Sequence, residues 1–335
     1  KSFVERKNVA QKEGLLRGLG IGCFLETARG APQEGVSLKF TKEGKVEIRV
    51  GTESNGQGHE TTFKQIASAR LGVPTEVLEY IQADTEQVAI GFGHGGARSM
   101  HMGAGTMALA IDLVIEKASQ VAATLLQTGV EELSFEEGSF LTSKDERSVS
   151  IIEVASAARN SDVMPSLGEN GIDTFYKREE APFTFPNGCH AAEVEIDPDT
   201  GAIKLVNYVM VDDYGTLVNP ALTEGQLHGG VVQGIGQALE EFVAFDPESG
   251  QLLSGSLMDY TAPRAASFPF FKAHFQGVPT EANLLGVKGV GQAGCIAAPQ
   301  VITQAVLNAL QGYNIDHIQM PITSQSLWRA IQAAS

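Results

Sequence analysis

The stretch Val194-Glu195-Ile196-Asp197-Pro198-Asp199-Thr200-Gly201-Ala202-Ile203-Lys204-Leu205-Val206-Asn207-Tyr208-Val209-Met210-Val211 decides the architecture. Two apolar, β-branched runs flank Asp197–Gly201. Proline presets one turn dihedral, aspartate bonds its own backbone, and glycine accepts a positive φ, so the stretch reads as a β-hairpin. Helical spacing then runs over Thr223–Phe242. The same order of signals occurs earlier. Strand-like runs Val36–Phe40 and Val46–Gly51 flank Lys42-Glu43-Gly44, and helical periodicity follows over Glu60–Leu71.

Outward from these two hairpins, residues 2–16 are polar with helical spacing, and Leu19–Leu25 and Val77–Gln82 read as strands. Ser99–Thr128 reads as a long buried helix. Further strands are expected near Leu252–Ser254 and Phe271–Phe275, and helices over Pro299–Leu310 and Ser324–Ala333. Residues 130–187 alternate short signals with polar stretches such as Asn160–Asp162 and read as a connection. Hairpins followed by helices predict an α+β fold of two similar mixed α/β subdomains, with sheets covered on one side. The expected division is 1–150 for the first subdomain, 151–187 for the connecting segment and 188–335 for the second.

The chain has 335 residues, 43% of them hydrophobic, enough for one large or two moderate domains. Its net charge of −16 opposes binding to a nucleic-acid backbone or an anionic membrane surface. No apolar run approaches the roughly 18–20 residues that span a bilayer, and no secretory signal is visible. The chain begins at Lys1 in a helix-like segment, which reads as a piece of a longer polypeptide. Cys23, Cys189 and Cys295 are odd in number and lack metal-type spacing. They are expected to be buried, reduced thiols of a cytosolic protein.

Four glycine-rich segments carry the chemistry. Asn55-Gly56-Gln57-Gly58-His59-Glu60 follows a strand and opens a helix. Gly91-Phe92-Gly93-His94-Gly95-Gly96-Ala97-Arg98-Ser99 opens another, with Arg98 offering charge to a phosphate. Gly225–Gly236 places many glycines within one helix, at roughly 1 kcal/mol each against alanine, so a second backbone or a flat ligand should pack there. Gly286-Val287-Lys288-Gly289-Val290-Gly291-Gln292-Ala293-Gly294 precedes a fourth helix. Glycines allow close backbone approach, and helix starts offer unpaired N–H groups to anions. A tight turn or close helix packing would use the same residues. No dinucleotide fingerprint or Walker pattern is present. His59, His94, His101, His190 and His228 lack metal-ligand spacing. Together the four segments suggest one large, phosphate-bearing organic ligand held mainly by backbone.

In this order the segments resemble the xanthine oxidase and aldehyde oxidase family of molybdenum hydroxylases. The likeness is strongest to large subunits similar to carbon monoxide dehydrogenase. It runs from about Gly18 to the end and is most specific at Gly56–Thr61, Gly96–Ser99, Asn219–Gly236, Met258-Asp259-Tyr260 and Leu285–Gly291. The resemblance implies the C-terminal molybdopterin-binding half of such a subunit, with the two subdomains packed around an extended cofactor. That cofactor would be molybdenum on molybdopterin, in the cytosine dinucleotide form, without a protein ligand to the metal.

Carried over by position, Gln57, between Gly56 and Gly58, would hydrogen-bond an oxygen on molybdenum. The loop Gly96, Ala97, Arg98, Ser99, Met100 and His101 would hold the pterin and its phosphate tail. Gln233 would hydrogen-bond the pterin, and Gly291 would bring residue 292 beside the metal. The family's general-base glutamate is here Gln292, and a carboxamide has no basic lone pair near neutral pH. The implied activity is oxidation of an aldehyde, N-heteroaromatic or similar small molecule. The alternative is a catalytically silent paralogue or assembly fragment. Implied partners are the N-terminal half of the large subunit, a two-iron two-sulfur small subunit and an FAD-binding medium subunit. They would form a cytoplasmic, dimeric complex that receives the electrons.

Overall fold

The computed structural model describes residues 2–334 except 146, 161, 162 and 164. The polar stretch Asn160–Asp162 therefore lies mostly outside the described residues. In chain order the elements are α1 (Phe3–Lys12), β1 (Leu16–Leu25), β2 (Glu34–Phe40), β3 (Val46–Val50), α2 (His59–Leu71), β4 (Leu78–Ile81), α3 (Gly105–Leu125), β5 (Leu133–Glu136), β6 (Ser139–Thr142), β7 (Ser148–Ser150), α4 (Ile151–Ala157), β8 (Thr174–Arg178), β9 (Asn187–Ile196), β10 (Ile203–Asp213), α5 (Pro220–Leu239), β11 (Lys272–Phe275), α6 (Ala293–Ala309) and α7 (Ser324–Ala334).

The fold is α+β, built from two similar units. In the first, β2 and β3 form the expected hairpin, and α2 crosses to β4, which pairs parallel with β3. In the second, β9 and β10 form the hairpin, and α5 crosses to β11, which pairs parallel with β10. The 197–201 turn closes through Gly201 N–H to Asp197 O at 2.8 Å, with Gly201 at φ +72°. The Asp197 carboxylate accepts from Asp199 N–H and the Thr200 hydroxyl. In the first unit α3 packs on β2 and β8, and in the second α6 packs on β1 and β9. Each helix layer buries an aliphatic core, with Val46, Ile48 and Val50 alternating inward from β3 in one and Val194 and Ile196 from β9 in the other.

The sheets do not follow the 150 and 187 divisions of the chain. Strand order is β1-β9-β10-β11 in one sheet and β4-β3-β2-β8 in the other. Thus β1 completes the second unit, and β8, from the expected connecting segment, completes the first. The exchange has a steric basis. Gly18 and Gly20 bring β1 onto the backbone of α6, where a Cβ at Gly20 would lie 2.0 Å from the Val301 carbonyl oxygen. The expected connection also holds a small sheet, β5-β6-β7, and the helix α4.

Several sequence expectations shift. Helix 2–16 ends at Lys12, and β1 begins at Leu16. Helix 99–128 opens with a widened π-turn over Ser99–Ala104 before α3. The last long helix starts at Ala293, not Pro299, so the proline sits inside it rather than in its first turn. Near Leu252 there is only an isolated bridge to Phe245. The cysteines are free, but not buried: Cys23 is exposed, and Cys189 and Cys295 are partly so. Cys23 faces outward on the side of the sheet that α6 does not cover. Among the described residues no helix is long and apolar enough to cross a membrane.

Candidate active site

A cleft of about 700 Å³ lies between the two units and collects parts of all four glycine-rich segments. Its walls include Gly56 and Gln57 from the first, Gly96, Ala97, Ser99 and Met100 from the second, Gln226 from the third, and Gly289, Gly291 and Gln292 from the fourth. Four helices start at this cleft. His59 opens α2, Ser99 opens the π-turn into α3, Asn219 caps α5, and Gln292 precedes α6.

The caps sort these helices from the rest. Away from the cleft, α1 and α4 carry complete capping boxes, Ser2 with Glu5 and Ser150 with Glu153. At the cleft only α5 has a side-chain cap, from Asn219 to Leu222 N–H. The other three starts, at Gly58, Arg98 and Gln292, have none. First-turn N–H groups lack intrahelical partners, and the helix dipole is positive at this end. At α6 the Ala293 and Cys295 N–H groups are already bonded to Val290 O and Gln292 O, so the starts of α2 and of the π-turn are the ones that offer backbone N–H groups to an anion. The lining lysine, Lys288, is already held by Asp213 at 2.6 Å.

The glycines divide by what a Cβ would meet. Gly230 and Gly234 in α5 lie against Gly294, Cys295, Ala298 and Pro299 of α6, so another backbone explains them. Gly289 lies against Ala97 and Ala28, joining the fourth segment to the second. Gly56 and Gly95, both on the cleft, meet no protein atom within 4 Å, and they leave space for a ligand. Ala97 itself is held at φ +52°, a conformation that costs a non-glycine residue energy and aims the loop at the cleft.

The side chains around the cleft are mostly neutral or committed. Burial, with His94 adding to it, pushes His59 down to about 4, and its Nδ1 is buried without a partner. The Gln57 carbonyl accepts from Asn55 N–H at 2.7 Å and from the Ser54 hydroxyl at 3.4 Å, which folds the amide over its own loop. Gln226 Nε2 donates to Gly291 O at 2.5 Å, fastening α5 to the fourth segment. Gln292 Nε2 donates to Glu26 Oε1 at 3.2 Å.

Three residues selected from sequence are turned away. Arg98 is fully buried and pairs with buried Glu34 at 2.8 Å, and its guanidinium also donates to the carbonyls of Gly93, Ala31 and Gln33. It braces the glycine loop and does not line the cleft. His101 is buried, with Nε2 2.8 Å from Pro182 O and Nδ1 3.0 Å from Asn283 Nδ2, and burial pushes it down to about 4. Gln233 is exposed on α5, two turns beyond Gln226 on the same face and outside the cleft. Gly58 forms the left-handed start of α2 rather than the wall. Sequence reading gave no site role to Glu26, nor to Asn219 and Gln226 within the stretch Asn219–Gly236. Only Asn219, before Pro220, had a local signal, that of a helix cap.

This fold and cleft define a molybdopterin cofactor-binding domain, and the chain belongs to that family: its family model matches residues 2–269. The chain is 34% identical to the nicotine 6-hydroxylase large subunit of Paenarthrobacter nicotinovorans, over 98% of this chain and 42% of that protein. It is 30% identical to the carbon monoxide dehydrogenase large chain of Hydrogenophaga pseudoflava, over 95% and 41%. The crystal structure of quinoline 2-oxidoreductase from Pseudomonas putida 86 superposes with a TM-score of 0.90 at 31% identity, over 98% of this chain and 44% of that one. The chain therefore spans under half the length of the relatives it matches.

Proposed function

We propose that the cleft holds the pterin and phosphate portions of a molybdenum cofactor, in the cytosine dinucleotide form. On this reading the chain is the cofactor-binding half of a molybdenum hydroxylase or dehydrogenase that oxidises an aldehyde, N-heteroaromatic or similar small molecule. The carrying observation is the pair of uncapped starts, of α2 and of the π-turn, on one glycine-lined cleft. When bound, the cofactor supplies two-electron redox chemistry. The backbone of Gly96–Met100 and the start of α2 hold its anionic parts. Gln57 hydrogen-bonds it from the first loop. Gln292 orients what lies beside it but takes no proton near neutral pH. Electrons pass to a two-iron two-sulfur subunit and a flavin subunit.

Apolar side chains exposed between residues 242 and 270 support a further polypeptide covering this segment. Phe245 is 60% exposed, Leu257 79%, Met258 93% and Phe270 84%. A free globular chain rarely leaves so many large apolar side chains of one segment bare. The upstream half of the large subunit is the proposed cover.

The test is molybdenum and pterin content of the complete protein, with two variants. Gly95→Ala adds a methyl where the protein has nothing within 4 Å, so the melting temperature should hold or rise slightly. Cofactor affinity should fall about tenfold, the loss of roughly 1.4 kcal/mol of binding, and cofactor content of the purified protein should drop with it. Full occupancy in Gly95→Ala would mean the cofactor does not use that space.

Gln57→Ala removes an acceptor of Asn55 N–H and a donor to the cofactor. Each hydrogen bond is worth about 0.5–1.5 kcal/mol net. Molybdenum content or turnover should fall several-fold without unfolding. Unchanged values for both would remove Gln57 from the site.

A further inference from the structure

Position 292 carries an amide, and a buried carboxyl stands directly behind it. Glu26 follows β1, which α6 packs against, and Gln292 is the residue that precedes α6. The fold thus brings together two groups 266 residues apart. Glu26 is 7% exposed, its Oε1 accepts from Gln292 Nε2 at 3.2 Å, and its Oε2 is buried without a partner. Burial pushes the carboxyl up, against the pull of the Gln292 hydrogen bond, and among the described residues no cation acts on it. The nearby titratable hydroxyl of Tyr214, on the cleft wall, is buried and donates to Asp212 at 2.8 Å; burial and Asp212 push it up, with Glu26 a lesser contributor.

Glu26 Oε1 is the atom that faces the amide, and as an acceptor it takes Gln292 by its nitrogen. The carbonyl oxygen of Gln292 is then the free end, with no protein donor among the described residues. We propose that Glu26 is a positioning residue for the cleft: it fixes the Gln292 amide with its carbonyl as a hydrogen-bond acceptor, so the ligand group seated there carries an N–H or O–H donor. This rests on the reading of the cleft as the cofactor and substrate site. It also predicts that restoring a carboxylate at 292 fails while Glu26 remains. Two carboxylates at this distance cannot both ionise in a buried site.

The test uses the complete protein with Q292E, E26Q and the exchanged pair E26Q/Q292E, melted at about pH 5 and about pH 8. Q292E should melt with wild type at the lower pH and on the order of 5 °C below it at the higher one. Adding E26Q should return the melting temperature, because the pair again holds one carboxyl and one amide. Single E26Q frees the amide to turn either way. It should alter the molybdenum(V) electron paramagnetic resonance signal of reduced protein at unchanged molybdenum content. Q292E melting with wild type at both pH values, no recovery in the exchanged pair, or an unaltered signal in E26Q would each overturn the proposal. Recovery in a protein without molybdenum would keep Glu26 as the group that orients Gln292 and refute the cofactor reading instead.

Discussion

Arg98→Met is expected to lower the unfolding free energy by about 3–5 kcal/mol, the usual loss when one member of a buried ion pair is removed. Arg98 and Glu34 are both fully buried and meet at 2.8 Å. Burial pushes Glu34 up and Arg98 down, and their mutual attraction opposes both shifts. Glu34 also accepts from Gly35 N–H at 3.0 Å. Without Arg98 the carboxyl must be protonated to stay inside. Its folded-state pKa then lies further above the unfolded value, so the stability it allows is complete in acid and lost as pH rises through the folded value. The variant's deficit should therefore be larger near neutral pH than at about pH 5. Urea unfolding at both pH values measures it. Arg98→Met/Glu34→Gln should cost less than the sum of the single variants, since both charges are removed together. A small, pH-independent loss in Arg98→Met, accompanied by lost cofactor, would instead return Arg98 to the role of phosphate ligand.

Gly20→Val is expected to cost about 3 kcal/mol or more, at the upper end of overpacking effects. A Cβ there would sit 2.0 Å from the Val301 carbonyl oxygen and 2.7 Å from the Ala305 nitrogen. Both are helix backbone, so no rotamer change relieves the clash, and β1 must leave α6. That movement would also carry Glu26 away from Gln292, since Glu26 directly follows β1. The urea midpoint should fall, and cofactor content should fall with it. By contrast, Gly14→Ala meets no atom within 4 Å and suffers only from its φ of +81°, which makes it a milder control. A Gly20→Val protein with wild-type stability would show that β1 does not lie on α6 in solution.

The sequence by itself determined the hairpins, the main helices, the duplicated outline and the four glycine segments. These rest on local rules: the Asp197–Gly201 turn, alternation in Val46–Val50, and helical periodicity after each hairpin. It also marked position 292 as an amide where the resembled family has a carboxylate. Tertiary structure alone decided three things. It exchanged β1 and β8 between the units, and for β1 the reason is the close approach of Gly18 and Gly20 to the backbone of α6. It turned Arg98 inward to Glu34, because a buried carboxylate 64 residues away outweighs any local preference of a loop arginine for solvent. It placed Glu26 behind Gln292 and carried Gln233 beyond the cleft, because these relations follow from the packing of α6 on β1 and the length of α5. Residue spacing along a chain encodes turns and faces; the meeting of residues hundreds of positions apart is set by which packing buries the cores, and no single segment carries that information.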